Sequence, residues 1–268
     1  MDKILHPFKH NKSMDTKTIV LITGANSGIG YAATEKFIKN KDFHVIMACR
    51  STDKAQAALK QLESKKEPGS MSPLQLDITS QDSIDNAVKH VTDHFGRVDV
   101  LINNAGIIAF ESTLIENLRK TFETNIFAPM LITYAFLPLL EASKAATPRL
   151  VYVSSDLGSV TLRRDPSYQH YKVPSTPYRM SKASLDMLAA CNEEEFARTK
   201  GAERIKVYVF NPGYTVSNLS GPEGVEIRKS RGAASPEDSG VALVDISMGK
   251  RDADQEKGMI NKKGWYPW

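Results

Sequence analysis

Short continuous apolar runs, rich in β-branched residues, alternate along this chain with longer stretches that are apolar on one face only. Thr18-Ile-Val-Leu-Ile22 is the first run, and its lack of polar interruption predicts a strand buried on both faces. A glycine turn and a helix over about Gly28–Asn40 follow. Phe43–Ala48 is a second strand, and a helix over about Thr52–Glu63 is ended by Pro68-Gly69-Ser70. Leu74–Leu76, Val98–Ile102, Arg149–Ser154 and Ile205–Phe210 continue the strands. Helices are expected over Asp82–Phe95, Asn117–Lys144 and Tyr178–Lys200. Ser235-Pro236-Glu237-Asp238 has the composition of a helix start.

This alternation predicts an α/β fold: a single doubly wound, Rossmann-type domain with a parallel sheet and helices on both faces. It should begin at residue 18 and run to 268, with residues 1–17 as a flexible polar extension. The chain has 268 residues, 41% of them hydrophobic and 25% charged, enough for one large domain with a sizeable core. The net charge of +4 is scattered, which argues against nucleic acid as a partner. The longest apolar stretch, Pro129–Leu140, is too short to span a bilayer. Met1–Lys17 lacks the apolar stretch of a signal peptide. Cys49 and Cys191 have no metal-binding spacing and read as two buried thiols, so a reducing, cytoplasmic setting is expected.

The chemistry concentrates at the carboxyl ends of the strands. Thr23-Gly24-Ala25-Asn26-Ser27-Gly28-Ile29-Gly30 lies between the first strand and first helix. There Gly24 permits a tight turn, Gly28 lets the backbone approach a pyrophosphate, and Gly30 lets the helix pack closely on the sheet. The helix start favours an anion. The second strand ends Ala48-Cys49-Arg50-Ser51, with no acid to hold a ribose 2′-hydroxyl; Arg50 can instead pair with a 2′-phosphate. That favours NADP(H) over NAD(H). Tyr178 and Lys182 stand at i and i+4, on one helix face. A cation about 4 Å from a phenol contributes roughly 4 kcal/mol, about three pKa units, which would bring the tyrosine near neutrality. Ser154-Ser155 ends the fifth strand, Asn103-Asn104-Ala105-Gly106 closes the fourth, and Asn125 lies in the long helix that follows.

In this order the motifs resemble those of the short-chain dehydrogenase/reductase family, whose glycine turn is spaced G-x-x-x-G-x-G as here. The resemblance implies a catalytic set of Asn125, Ser155, Tyr178 and Lys182, with Asn125 holding a water in a proton relay and Lys182 the nicotinamide ribose. It implies cofactor contacts from Gly24, Asn26, Ser27, Gly28, Ile29 and Gly30, from Asp77 and Ile78 at the adenine, and from Asn103, Ala105 and Gly106. Asn211-Pro212-Gly213-Tyr214-Thr215-Val216-Ser217 resembles the family's Pro-Gly loop, so Pro212, Gly213, Thr215 and Ser217 should flank the nicotinamide. The strand-two ending and the wide Ser155–Tyr178 gap are most similar to carbonyl reductases and retinol-dehydrogenase-like members. The terminal Gly264-Trp-Tyr-Pro-Trp268 resembles fungal ones. The implied partner is a small-molecule carbonyl substrate, and the implied assembly a homodimer or homotetramer.

Two segments stay open. Asp156–Pro177 is a substrate-pocket wall or lid, or a solvated surface loop. Residues 216–234 read as a mobile flap over the substrate. Ser154 is expected to pack or to bond backbone. The rival functions are an alcohol dehydrogenase working oxidatively and a non-redox NADP(H)-binding scaffold.

Overall fold

Ile19, Val20, Leu21 and Ile22 have no exposed surface in the computed structural model, which describes residues 14 and 16–268. They form the middle of β1 (Thr18–Thr23), and each adds roughly 1.5–3 kcal/mol by burial. The chain continues through α1 (Gly28–Phe37), β2 (Phe43–Cys49), α2 (Thr52–Glu63), β3 (Ser70–Gln75), α3 (Gln81–Phe95) and β4 (Val100–Asn103). Then come α4 (Leu114–Phe122), a π-helical turn (Glu123–Phe127), α5 (Ala128–Glu141) and β5 (Arg149–Val153). After a 3-10 turn (Asp156–Gly158) follow α6 (Val160–Arg163), α7 (Thr176–Arg198), β6 (Lys206–Phe210), α8 (Pro222–Ser230) and α9 (Glu237–Ser247). A second 3-10 turn (Asp252–Lys257) precedes β7 (Met259–Ile260) and β8 (Trp265–Tyr266).

The strands form one eight-stranded sheet in the order β3-β2-β1-β4-β5-β6-β7-β8. All pairs are parallel except β7 with β8. The order reverses between β1 and β4, and there the carboxyl ends of the strands open a crevice. Two apolar layers cover the sheet. One face packs side chains of α3, α5 and α7, such as Ile84, Phe136 and Leu185; the other packs those of α1, α2 and α9, such as Phe37, Leu62 and Leu243. Asp99, fully inside, ties this frame together. Its carboxylate accepts from the Ile19 amide at 2.7 Å, the Ser143 hydroxyl at 2.5 Å and the Arg97 guanidinium at 3.3 Å. A buried carboxylate needs such partners, and here it has them.

The doubly wound fold is as the pattern of residues predicts. Several details differ. β7 and β8, two residues each, have too few positions to show alternation. The expected helix Asn117–Lys144 starts earlier and is widened at the π-turn. As a whole, Leu114–Glu141 is 28 residues long and apolar enough to cross a membrane by length and composition. Ile132, Phe136, Leu139 and Leu140 are nonetheless packed against the sheet, as in the core helix of a globular domain. Cys49 is buried, but Cys191 is exposed, because it falls on the outer face of α7. The expected extension lies mostly outside the described residues; its end is held by Arg97, which donates to the Met14 and Lys17 carbonyls at 3.0 and 2.8 Å.

Candidate active site

A cleft of about 1130 Å³ runs across the carboxyl ends of the strands, from Arg50 past the glycine turn to Tyr178. The turn is shaped by contact. A Cβ at position 30 would lie 2.6 Å from the Gly24 carbonyl oxygen, so only glycine lets α1 seat against the turn. Gly28 has φ +54°, in the left-handed region that glycine occupies without strain. Ser27 makes no side-chain cap to α1, and the first turn carries no acid, so the amides at Gly28 and Ile29 face the cleft as an anion site. Thr23 fixes the opposite lip: its hydroxyl accepts from the Asn104 and Ala105 amides, both at 3.0 Å. These features fit a dinucleotide phosphate.

Of the expected cofactor residues, Gly24, Asn26, Ser27, Gly28, Ile29, Arg50, Asp77, Ile78, Ala105, Gly106, Pro212, Gly213, Thr215 and Ser217 line this one cleft. Arg50 is exposed at its mouth with Lys54. Asp77 accepts from the Thr79 amide and hydroxyl, which fixes the bend after β3. Gly30 stands behind the turn. Asn103 points away from the cleft: its side chain donates to Thr133 at 3.1 Å, inside the helix layer, and Asn104 takes its place at the cleft.

Ser155, Tyr178 and Lys182 meet at the other end. Tyr178 is only 6% exposed. Ser155 lies beside the phenol in the same cleft, with its hydroxyl donated to Asp156 at 3.2 Å. It also caps the Asp156–Gly158 turn by accepting from the Leu157 amide at 3.2 Å. Lys182 donates to the Val153 carbonyl at 2.9 Å, and its nitrogen lies 5.7 Å from the centre of the Tyr178 ring. The expected effect of Lys182 on Tyr178 is therefore not what the structure shows. Burial raises the phenol above its usual range, and the principal opposing charge is Arg228 of α8. Burial also pushes Lys182 down to about 8, against the attraction of Asp186. The i,i+4 spacing gives a shared face and leaves open where the ammonium ends.

Asn125 stands on the π-turn, which rotates it inward. It accepts from the Ile107 amide and donates to the Ile107 carbonyl, each at 2.9 Å, and donates to Ser181 at 3.0 Å. It thus clamps the chain leaving β4 to α7. The same chain, at Gly106, lies between Asn125 and Lys182.

Three residues that the sequence did not single out, Asp186, Arg179 and Arg228, complete the site. Ser154 is packed as expected, but it donates to the Asp186 carboxylate at 2.5 Å, and not to backbone. Arg179 reaches back to the Leu157, His170 and Val173 carbonyls at 3.2, 2.6 and 3.1 Å. It holds the 156–177 segment so that His170, Val173 and Ser175 line the cleft, which makes this segment a wall. Arg228 lies within 216–234, the segment expected as a mobile flap, and stands there on α8. Leu219 ties that segment to Ile108 through a 2.7 Å backbone bond. A basic residue next to a tyrosine, or on an exposed helix, carries no local signal of such roles.

A parallel sheet with an anion-binding turn at its switch point, facing a buried phenol and ammonium, belongs to the oxidoreductases that use a nicotinamide dinucleotide. The profile of the short chain dehydrogenase family matches residues 18–226, and the chain is a member of that family. It is 38% identical over 216 residues to the short-chain dehydrogenase anuI of Penicillium roqueforti, covering 79% of this chain and 84% of that one. It is 31% identical over 275 residues to the short-chain dehydrogenase/reductase eupG of a Phoma species, covering 94% and 95%. Its fold is similar to NADPH-bound carbonyl reductase from chicken fatty liver, with a TM-score of 0.75 at 24% identity and 94% of each chain covered. It is likewise similar to 3-oxoacyl-[acyl-carrier protein] reductase from Brucella melitensis in complex with NAD, with a TM-score of 0.75 at 21% identity, covering 92% and 96%.

Proposed function

We propose that the protein reduces a ketone or aldehyde to an alcohol with NADPH, using Tyr178 as the proton donor. One observation carries this reading: the buried Tyr178 phenol, beside Ser155, lies at one end of a cleft whose other end is the glycine turn and Arg50. The bound dinucleotide supplies the hydride to the carbonyl carbon. The protein's residues do the rest. The amides at Gly28 and Ile29 hold the pyrophosphate, Arg50 and Lys54 hold the 2′-phosphate, and Lys182 holds the nicotinamide ribose. Ser155 positions the carbonyl oxygen, and its hydrogen bond strengthens as negative charge develops there. Tyr178 gives that oxygen its proton.

The protein acts on small molecules, as the cleft's dimensions suggest, and we propose a homodimer or homotetramer. Its support is an exposed apolar face on α4–α5 and α7, formed by Phe127, Leu131, Met180 and Met187. The free thiols of Cys49 and Cys191 suit a reducing compartment such as the cytoplasm. The test is NADPH oxidation with a panel of ketones and quinones, comparing the parent with Tyr178→Phe. The variant should lose about 100-fold or more in kcat. Equal activity of the two would remove Tyr178 from the mechanism.

A further inference from the structure

Arg228 is a charged group of the cleft with no role in the chemistry described so far. It projects from α8 into the same cleft as Tyr178, His170 and Tyr214. Its guanidinium lies over the Tyr214 ring, 5.5 Å from the centre. Its Nε is buried and has no hydrogen-bond partner. Among the described residues no carboxylate pairs with it.

The acids nearby are already engaged. Asp156 accepts from Tyr168 and from Ser155, the latter at 3.2 Å. Glu111 is paired with Lys120. Arg228 is also the charge that acts most strongly on the Tyr178 phenol, which puts it at the reacting end and away from Arg50. A guanidinium stacked on an aromatic ring keeps its N–H edge free, and that edge matches a carboxylate in a two-pronged bond. A buried, unbonded donor is costly unless a ligand completes it.

We propose that Arg228 is a specificity residue that binds a carboxylate on the substrate, so that the preferred substrates are keto acids and not neutral ketones. This rests on the reading of the protein as a carbonyl reductase. Tyr214 braces the guanidinium, and Tyr178 and Ser155 take the carbonyl oxygen at the other end of the same molecule.

The test pairs benzoylformate with its methyl ester, and 4-acetylbenzoate with its methyl ester, on the full chain. Parent, Arg228→Gln and Arg228→Lys are compared by kcat/KM and by calorimetric binding of each compound to the NADPH-loaded protein. The parent should favour at least one acid over its ester by about 10- to 100-fold. Arg228→Gln should abolish that preference through KM, beyond any loss that acid and ester share through Tyr178, and Arg228→Lys should restore part of it. NADPH affinity should be the same in all three proteins.

Several results would overturn the proposal. One is equal treatment of acid and ester by the parent. An equal loss for acid and ester in Arg228→Gln, with the preference kept, would mean that Arg228 acts only through Tyr178. Weakened NADPH binding would assign it to the cofactor. If no ketone is reduced by the parent, the proposed function fails, while acid-selective binding that Arg228→Gln removes would still support the carboxylate site. Absence of acid-selective binding would end it.

Discussion

The Ser154 hydroxyl donates to Asp186 across 2.5 Å, one turn along α7 from Lys182. Asp186 is 5% exposed, and its second carboxylate oxygen is buried with no partner. Burial pushes its pKa up to about 7, against the Ser154 bond and the charge of Lys182. The folded protein therefore holds this proton from about pH 4 to pH 7, where the unfolded chain has released it. The sign follows: Asp186 favours the folded state least above pH 7, and its contribution falls as pH climbs through that window. Asp186→Asn keeps the shape without the charge. It should match the parent near pH 4 and be more stable by about 2–4 kcal/mol at pH 8. Urea denaturation at pH 4.5, 6 and 8 measures this, and a gap that does not widen with pH would refute it.

How much of this site could be read along the chain depends on how far apart its parts lie. The glycine turn, Tyr178 and Lys182 are local. A strand–turn–helix needs glycines at fixed offsets, and a helix puts i and i+4 on one face. The sheet was legible for the same reason, since β1 and β2 are buried on both faces and read as continuous apolar runs, broken in β2 only by His44. Asp186, Arg179 and Arg228 were not legible. Each looks like an ordinary helical charge until the fold brings Ser154, the His170 carbonyl or Tyr214 to it. Asn103 and Asn104 are neighbours with the same side chain, and only the pleat at the end of β4 decides which one faces the cleft.

Arg50 is exposed beside Lys54 at the mouth of the cleft. If it grips a 2′-phosphate, Arg50→Asp removes a charge-assisted bond and adds repulsion. The ratio of kcat/KM for NADPH over NADH should fall by about 100-fold, mostly through KM for NADPH. Steady-state kinetics with both cofactors decide it. An unchanged ratio would return Arg50 to the solvated surface.

Arg179 holds the 156–177 wall through three carbonyls. Arg179→Met keeps the aliphatic stem and removes the donors. The wall should loosen without the fold being lost, so KM for substrate should rise several-fold while kcat changes less. Trypsin should then cut after Arg163, Arg164 or Lys172, which lie on that exposed segment. Limited proteolysis followed by mass spectrometry locates the cut. Equal resistance of parent and variant would show that the wall is held by other contacts.

His44 gives the opposite pH signature to Asp186. It is 3% exposed on β2, with its two ring nitrogens 2.9 Å from the Ser70 and Ser72 hydroxyls. Lys17 donates to the same Ser70 hydroxyl at 2.9 Å. Burial, and then the Lys17 charge, push the imidazole down to about 4. The unfolded chain takes up this proton below about pH 6.5, while the folded protein refuses it until about pH 4. Stability is thus present above pH 6.5 and is lost as pH falls through the window, by about 3 kcal/mol in all. His44→Gln cannot titrate there. It should be less stable than the parent at pH 7, because it packs less well against Phe95, 5.0 Å from the imidazole centre. Its deficit should shrink by about 2 kcal/mol or more by pH 4.5. Asp186 titrates in the same range, but it is present in both proteins and cancels in the difference. Chemical denaturation at the two pH values gives that difference directly, and a constant deficit would show that His44 does not sense pH.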